Sequence, residues 1–483
     1  MEEGQLWRQY IIGGIVNIAV AAAGYSMGWS SPVNIILVNE ELSPLPEPLT
    51  TDQLAWIGSL LAIGAIGGPF IGGLASSTIG RKWGLLSSSI PFLVGWILVV
   101  VATDVGYIYA GRVLWGVGMG MVFSISPVYC TEIATVEARG ALGSLLQTYI
   151  TFGTLAVYIV GPFASYNAIA YVGIGFVAVF AMTFFFMPES PTYYVVKNDR
   201  ESAAACLAKI RGKTVDNVQK ELDIIQDDVD ASKDKTGRII DIFRGKNFKA
   251  FYIACALMFF QQFAGISAVL FYLTEIFEAA DTDIEPAYAS IIVGAVQFLA
   301  SISTQFVVNR LGRKILMMVS SSGSAVALGL LGLYFLLDDL DSADSINFLP
   351  LLSLVLYMVM FCWGLGALPW TMMGELLPIE IKSVAAPIVT AFYWALSFLI
   401  TRYFSAVGDA AGMYVVFWIF SASCIGCFFF SLLVLPETKN KSYHDIQEML
   451  EGRYLLETNG SEKLIVLIVN VTKMYDFGHS NCS

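Results

Sequence analysis

Twelve apolar runs, each of about 20 residues or more, recur along the chain, and a helix of that length crosses a hydrocarbon core of roughly 30 Å. They lie near 10–29, 53–78, 84–103, 106–131, 140–163, 168–187, 249–278, 287–308, 315–337, 348–374, 384–407 and 412–435. In lipid a helix satisfies its own backbone hydrogen bonds, and the period-2 alternation that a barrel strand needs is absent from these runs. The predicted class is an all-α membrane protein. The pattern breaks once, from Pro188 to Lys249, where 62 residues carry 23 of the chain's 66 charged side chains. That break predicts four parts: an N-terminal six-helix bundle (1–187), a cytosolic linker (188–248), a C-terminal six-helix bundle (249–435) and a cytosolic tail (436–483). The linker mixes good helix formers with both charge signs, which predicts short surface helices able to brace the two bundles.

The two bundles repeat one plan. The turn after the second run reads STIGRK from Ser77, and the turn after the eighth reads NRLGRK from Asn309, 232 residues later. The bundles close on PESP from Pro188 and PET from Pro436. Parallel halves imply a pseudo-two-fold axis along the membrane normal and a cavity between them, the layout of a large transporter class. Gly64, Gly68 and Gly72 recur at four-residue spacing and give a smooth stripe for close helix packing. Gly116, Gly118 and Gly120 mimic a nucleotide loop only in spacing, because no strand precedes them and they sit inside an apolar run. No GxxxxGK[ST] phosphate loop occurs, which argues against an ATP-driven pump.

Composition agrees: 56% of residues are hydrophobic, 14% are charged and the mean hydropathy is +0.68. The bilayer is therefore a partner, and the net charge of −12 makes nucleic acid an improbable one. The charges are unevenly placed. With both termini and the linker in the cytoplasm, 25 of 27 Lys and Arg fall on that side, the exceptions being Arg112 and Arg402. The outward loops carry acids instead: Glu40, Glu41, Glu47 and Asp52; Asp281, Asp283 and Glu285; Asp338, Asp339, Asp341 and Asp344. The N-terminus has no basic region or cleavage site of a signal peptide, so the first run serves for targeting. Seven cysteines avoid the outward loops, and the Cys424–Cys427 pair lies in an apolar run, where packing is the expected role. Both histidines, His444 and His479, fall in the tail, so no metal site or histidine relay is expected within the membrane. No cofactor is implied.

Every polar side chain in an apolar span calls for a reason. Gln147, Gln261, Gln262, Ser267, Gln297, Trp370, Tyr393 and Trp394 supply amides, a hydroxyl and flat aromatic faces. That set suits a neutral polyhydroxylated ligand: amides both donate and accept, as sugar hydroxyls do, and aromatic faces cover the C–H face of a pyranose. Amides bonding neighbouring helices are the plainer alternative. At the cytosolic helix ends, Arg81, Glu132, Arg139 and Glu189 in the first half are echoed by Arg313, Glu375, Lys382 and Glu437 in the second. Ion pairs that join helix ends when the cavity faces outward and break when it faces inward would make these a gate, with plain positive-inside anchoring as the alternative. The first run contains no Asp, Glu or His, so it offers no coupling-proton site and downhill facilitation is expected.

GRK twice, GRVLWGVGMG, PVYCTEIATVEARGALGSLLQ, PESPTYY, QQFAGISAVLFY, GALPW with GEL, PETKN and GWSSP occur together between Tyr10 and Tyr443. They carry one resemblance, to the sugar porters of the major facilitator superfamily and most closely to insect trehalose-transporter-like facilitators. It implies the major facilitator fold, sugar contacts at Gln147, Gln261, Gln262 and Trp370, and extracellular gate aromatics at Phe271 and Tyr272. The symporters' helix 1 Asp falls on Ser26. Several positions depart from the family pattern: Ala264, Ser267 for asparagine, Gln297, Tyr393, Ala367 for proline, Ser77 and Asn309 before the GRK turns, and Lys382 for arginine. The expectation is a facilitative sugar uniporter, not an enzyme, taking a hexose such as glucose. Trehalose, proton-coupled symport and a non-transporting sensor are the alternatives. The plasma membrane is the expected site, with endosomal or lysosomal membrane as the alternative, and the oligomeric state is left open. In the tail, Leu464 to Val471 is apolar but too short to span, Glu451 with Leu455 and Leu456 resembles a dileucine sorting pattern, and Asn459 and Asn470 lie in glycosylation triplets.

Overall fold

The computed structural model describes residues 5–233, 239–280, 284–340, 346–439, 441, 445, 446, 449 and 450. Asp281, Asp283, Asp341, Asp344, both histidines, Cys482 and the tail motifs lie outside the described residues. So does the side chain of Arg139. Twelve helices among the described residues are long and apolar enough to cross a membrane.

In the first half, α1 comprises Leu6–Gly28 and Ser30–Val38, and α2 is Thr51–Thr78. Arg81–Ser87 and Ser89–Val100 make α3, Val105–Ile133 is α4, Val136–Val160 is α5 and Tyr166–Phe184 is α6. The second half repeats the series. Gly245–Phe263 and Ile266–Ala279 make α7, Pro286–Leu311 is α8 and Arg313–Asp338 is α9. Leu349–Trp363 and Leu368–Leu376 make α10, Ile379–Ala411 is α11 and Met413–Leu433 is α12. α1 runs past its expected end at 29 because Pro32 falls in the first turn of the segment restarting at Ser30, where a missing N–H costs little.

Small residues set how the bundles pack. A Cβ at Gly64 would collide with the Val113 carbonyl oxygen, and one at Gly116 with that of Leu61, so α2 and α4 touch backbone to backbone. Gly24 and Gly153 do the same for α1 and α5. This bears out packing as the role of the helix 4 glycines. The halves meet along two long seams, α2 with α11 and α5 with α8, and also where α1 meets α7.

Three linker helices, Pro191–Val196, Arg200–Arg211 and Gln219–Lys233, gather around Val195, Leu207, Val218 and Leu222. They dock on the first half. Arg211 donates to the Ile133 carbonyl at 2.6 Å and pairs with Glu221 at 2.7 Å, and Arg8 at the start of α1 donates to the Lys209 carbonyl at 3.0 Å. Toward the second half the linker reaches α7 and α11 through the Ile239–Phe243 turn.

Candidate functional site

The QQFAGIS stretch is where α7 breaks. Its first segment stops at Phe263, Gly265 takes φ +83°, and the second starts at Ile266. That left-handed backbone selects glycine. α10 breaks between Trp363 and Leu368, and Gln261 joins the two breaks by donating from Nε2 to the Gly366 carbonyl oxygen at 3.0 Å. Gln262 Oε1 accepts from the Ser267 hydroxyl at 2.8 Å, and that hydroxyl lies 2.9 Å from Ser397 Oγ on α11. One turn back along α11, Tyr393 sits edge-on to Trp370 at 4.9 Å and to Trp394 at 5.0 Å between ring centroids. Gln297 is buried on α8, which Thr304 ties to α10 through the Cys362 carbonyl at 3.0 Å. Seven of the eight candidates therefore sit on neighbouring helices of the second half.

Gln147 is the eighth, half-buried on α5 in the first half. One turn along each helix from Gln147 and Gln297, Thr151 Oγ1 and Ser301 Oγ meet at 2.9 Å and join the halves. Phe123 of α4 faces Trp394 of α11 at 6.4 Å, nearly parallel at 22°. Within this region Gln261 Oε1, Gln262 Nε2, Gln297 Oε1 and Trp394 Nε1 are buried with no partner among the described residues. Each such group costs about 1–3 kcal/mol while unmet. Two acceptors and two donors are what a hydroxylated ligand would satisfy.

At the end predicted to face outward, the halves are closed against each other. Phe271 and Tyr272 are buried there. Phe271 lies 5.6 Å beneath the Arg112 guanidinium, and its carbonyl accepts from Ser30 at 3.3 Å. Tyr272 donates to the Thr401 carbonyl at 2.9 Å and stacks on Phe404 at 5.2 Å. Ser31 meets Thr274 at 2.8 Å, Asn34 donates to Glu275 at 2.6 Å, Tyr158 donates to the Leu270 carbonyl at 2.8 Å, and Arg402 pairs with Asp52 at 2.5 Å.

At the other end the repeated turns take one geometry twice. Gly80 has φ +104° and ψ 166°, and Gly312 has φ +87° and ψ 162°. Each turn opens a helix whose first N–H groups point at a carboxylate. The Lys82 N–H donates to Glu189 at 3.0 Å, and the Arg313 and Lys314 N–H groups donate to Glu437, each at 3.0 Å. Burial raises the Glu189 carboxyl above its usual range, and the N–H bonds from Ser190 and Lys82 pull the other way. The flanking ion pairs form inside each half: Arg81 with Glu132 at 2.9 Å and Arg313 with Glu375 at 3.2 Å. Ser190 donates to Glu132, and Lys382 donates to the Gly374 carbonyl at 2.6 Å beside Glu375.

Residues 7–450 match the family described as Sugar (and other) transporter. The chain belongs to that family. The facilitated trehalose transporter Tret1 of Apis mellifera ligustica is 34% identical over 439 residues, which cover 90% of this chain and 87% of the relative. Its counterpart in Bombyx mori is 33% identical over 462 residues, 95% and 88% of the two chains. Among solved structures, the proton:xylose symporter XylE bound to 6-bromo-6-deoxy-D-glucose aligns with a TM-score of 0.73 at 23% identity, over 92% of this chain and 99% of that one. The inward open XylE of E. coli aligns at 0.75 and 24%, over 91% and 99%. The fold of this sugar transporter is that of the major facilitator superfamily, as its motifs implied.

Arg112 and Glu275 of the sugar transporter lie inside its spans and were not among the candidate site residues. Arg112 is wholly buried and donates to the carbonyls of Ile57 at 2.7 Å, Ser26 at 2.7 Å and Gly58 at 3.4 Å, among the rings of Trp29, Trp115 and Phe271. It was visible only as an exception to the charge rule. Glu275 sits four residues beyond Phe271; a carboxylate within an apolar run was the signal available for it.

Proposed function

We propose that this sugar transporter is a facilitator that moves a small neutral sugar down its gradient by alternating access, the site lying between the halves. The observation that carries the reading is the group of unmet amide and indole atoms on Gln261, Gln262, Gln297 and Trp394 beside the aromatic faces of Trp370 and Tyr393. Gln147 would contribute from the opposite half. Ser267, already engaged by Gln262 and Ser397, orients Gln262 rather than reaching the sugar itself. Phe271 and Tyr272 serve as the outer gate, and the two GRK turns with Glu132, Arg139, Glu189, Glu375, Lys382 and Glu437 as the inner one.

Facilitation is supported at helix 1. Where a symporter would place a carboxylate, Ser26 donates to the Ala22 carbonyl at 2.9 Å, and Arg112 is satisfied by backbone oxygens. A hexose such as glucose is the first substrate; trehalose is the second, favoured by the names of the insect relatives. The proposed placement is the plasma membrane with both termini cytoplasmic. Uptake of labelled glucose into proteoliposomes, competed by glucose, fructose and trehalose, tests the reading. Saturable flux that survives a protonophore is expected; the absence of saturable sugar flux would overturn it.

A further inference from the structure

Glu275 faces the opposite half from inside a spanning segment. Its Oε1 accepts from Asn34 Nδ2 at 2.6 Å, so the bond crosses the outer gate from α7 to α1. Asn34 is buried, and its own Oδ1 has no partner among the described residues. Glu275 is half-buried and lines a cavity of about 250 Å³ with Asn34, Asn39, Leu54 and Glu278. α1 thus presents a neutral amide and α2 an apolar side chain, while α7 itself adds the second acid, Glu278, and the Tyr272 phenol. Among the described residues the cations at this end are engaged elsewhere: Arg402 pairs with Asp52, and Arg112 is held by three carbonyls.

Closing the gate therefore draws an acid partly out of water, next to another acid and opposite an uncharged partner. A charge taken out of water costs far more than a neutral group, while the hydrogen bond from Asn34 acts the other way by favouring the charged form. The amide accommodates either form. Asn34 Nδ2 donates to the carboxylate, and with the amide turned over its Oδ1 accepts the O–H of the neutral acid.

We propose that Glu275, with Asn34 opposite, is a proton-binding site of the outer gate, filled from outside through the cavity that Glu278 lines, and that protonation favours the closed gate. The site rests on the alternating-access reading and is separate from the sugar contacts.

The test reads the gate without requiring sugar flux. Ser31 is fully buried against Thr274 between the halves, so Ser31→Cys in the full chain is reached by a membrane-impermeant thiol reagent only when the halves part. Labelling rates of S31C and of S31C/E275Q are compared in proteoliposomes at external pH of about 6 and about 8, and their ratio cancels the thiolate fraction common to both. The ratio of S31C to S31C/E275Q is expected to rise by about threefold or more with pH, since one titrating group bearing on an equilibrium moves it by up to tenfold per pH unit. A ratio that stays constant overturns the proposal. With the native Ser31 retained, equilibrium exchange of labelled glucose should vary with external pH in the parent and be flat in E275Q; parallel profiles overturn it as well. A pH-dependent labelling ratio without any sugar exchange would uphold the gate site and sink the sugar reading instead.

Discussion

The Arg112 guanidinium lies 2.7 Å from the Ser26 carbonyl oxygen, tying α4 to α1, while its other nitrogens reach Ile57 and Gly58 on α2. One planar cation holds three helices of the first half. An ammonium presents donors from a single point and cannot serve that spread of acceptors. Arg112→Lys is expected to leave at least one carbonyl unmet and lose about 1–3 kcal/mol. The check is the thermal unfolding midpoint of the purified protein in detergent; a midpoint equal to the parent's would show that the fork is dispensable.

Ser267 and Gln262 test the sugar site by two routes. Gln262→Ala removes a proposed sugar contact, whereas Ser267→Ala removes the bond that aims it together with the contact to Ser397. One lost hydrogen bond of about 0.5–1.5 kcal/mol corresponds to roughly 2- to 12-fold weaker sugar binding. Binding of labelled glucose should weaken in both variants, and less in Ser267→Ala. If Gln262→Ala binds as tightly as the parent, Gln262 is not in the site.

Gly64 and Gly116 carry one of the two tightest helix contacts of the first half, the other lying at Gly24 and Gly153. A side chain at either meets a carbonyl oxygen that belongs to the partner helix and cannot swing aside. Gly64→Val is expected to force α2 from α4 at a cost of about 1–3 kcal/mol, as overpacking does elsewhere. Gly67, with open space around it, is the control. The readout is the folded, monodisperse fraction on size exclusion; similar fractions for Gly64→Val and Gly67→Val would refute the contact.

Glu189 and Glu437 close equivalent helix starts, so their loss should cost alike. Substitution by Ala removes the acceptor for N–H groups at the first turn, worth about 0.5–2 kcal/mol. Each single variant should lower the unfolding midpoint, and the double variant should lower it by about the sum, because the two sites share no partner. Strong non-additivity would mean that the two turns are coupled across the halves.

Arg402 and Asp52 provide the contrast. Their ion pair crosses the halves, but Asp52 is 65% exposed, and exposed pairs contribute about 0–1 kcal/mol. Asp52→Asn should change stability within that range and leave sugar affinity unchanged. A larger loss in titrations of sugar binding or in unfolding would place Asp52 in the gate proper.

The sequence by itself determined the twelve spans, their division into six and six around a charged linker, the repeated GRK turns and the glycine stripe. These are local properties: hydropathy per residue, charge placement and spacing along one chain survive whatever the helices pack against. It also held the amides and aromatics of the proposed site, because a polar residue inside an apolar run stands out alone. Tertiary structure decided which atoms those residues face. Only packing places Glu275 against Asn34, 241 residues away, or turns the Ser267 hydroxyl onto Gln262 and Ser397. Only packing puts Arg81 beside Glu132 and Arg313 beside Glu375, each pair within its own half. Such pairings depend on the rotation and depth of one helix against another, which backbone contacts such as Gly64 on Val113 set and no periodicity in a single run encodes.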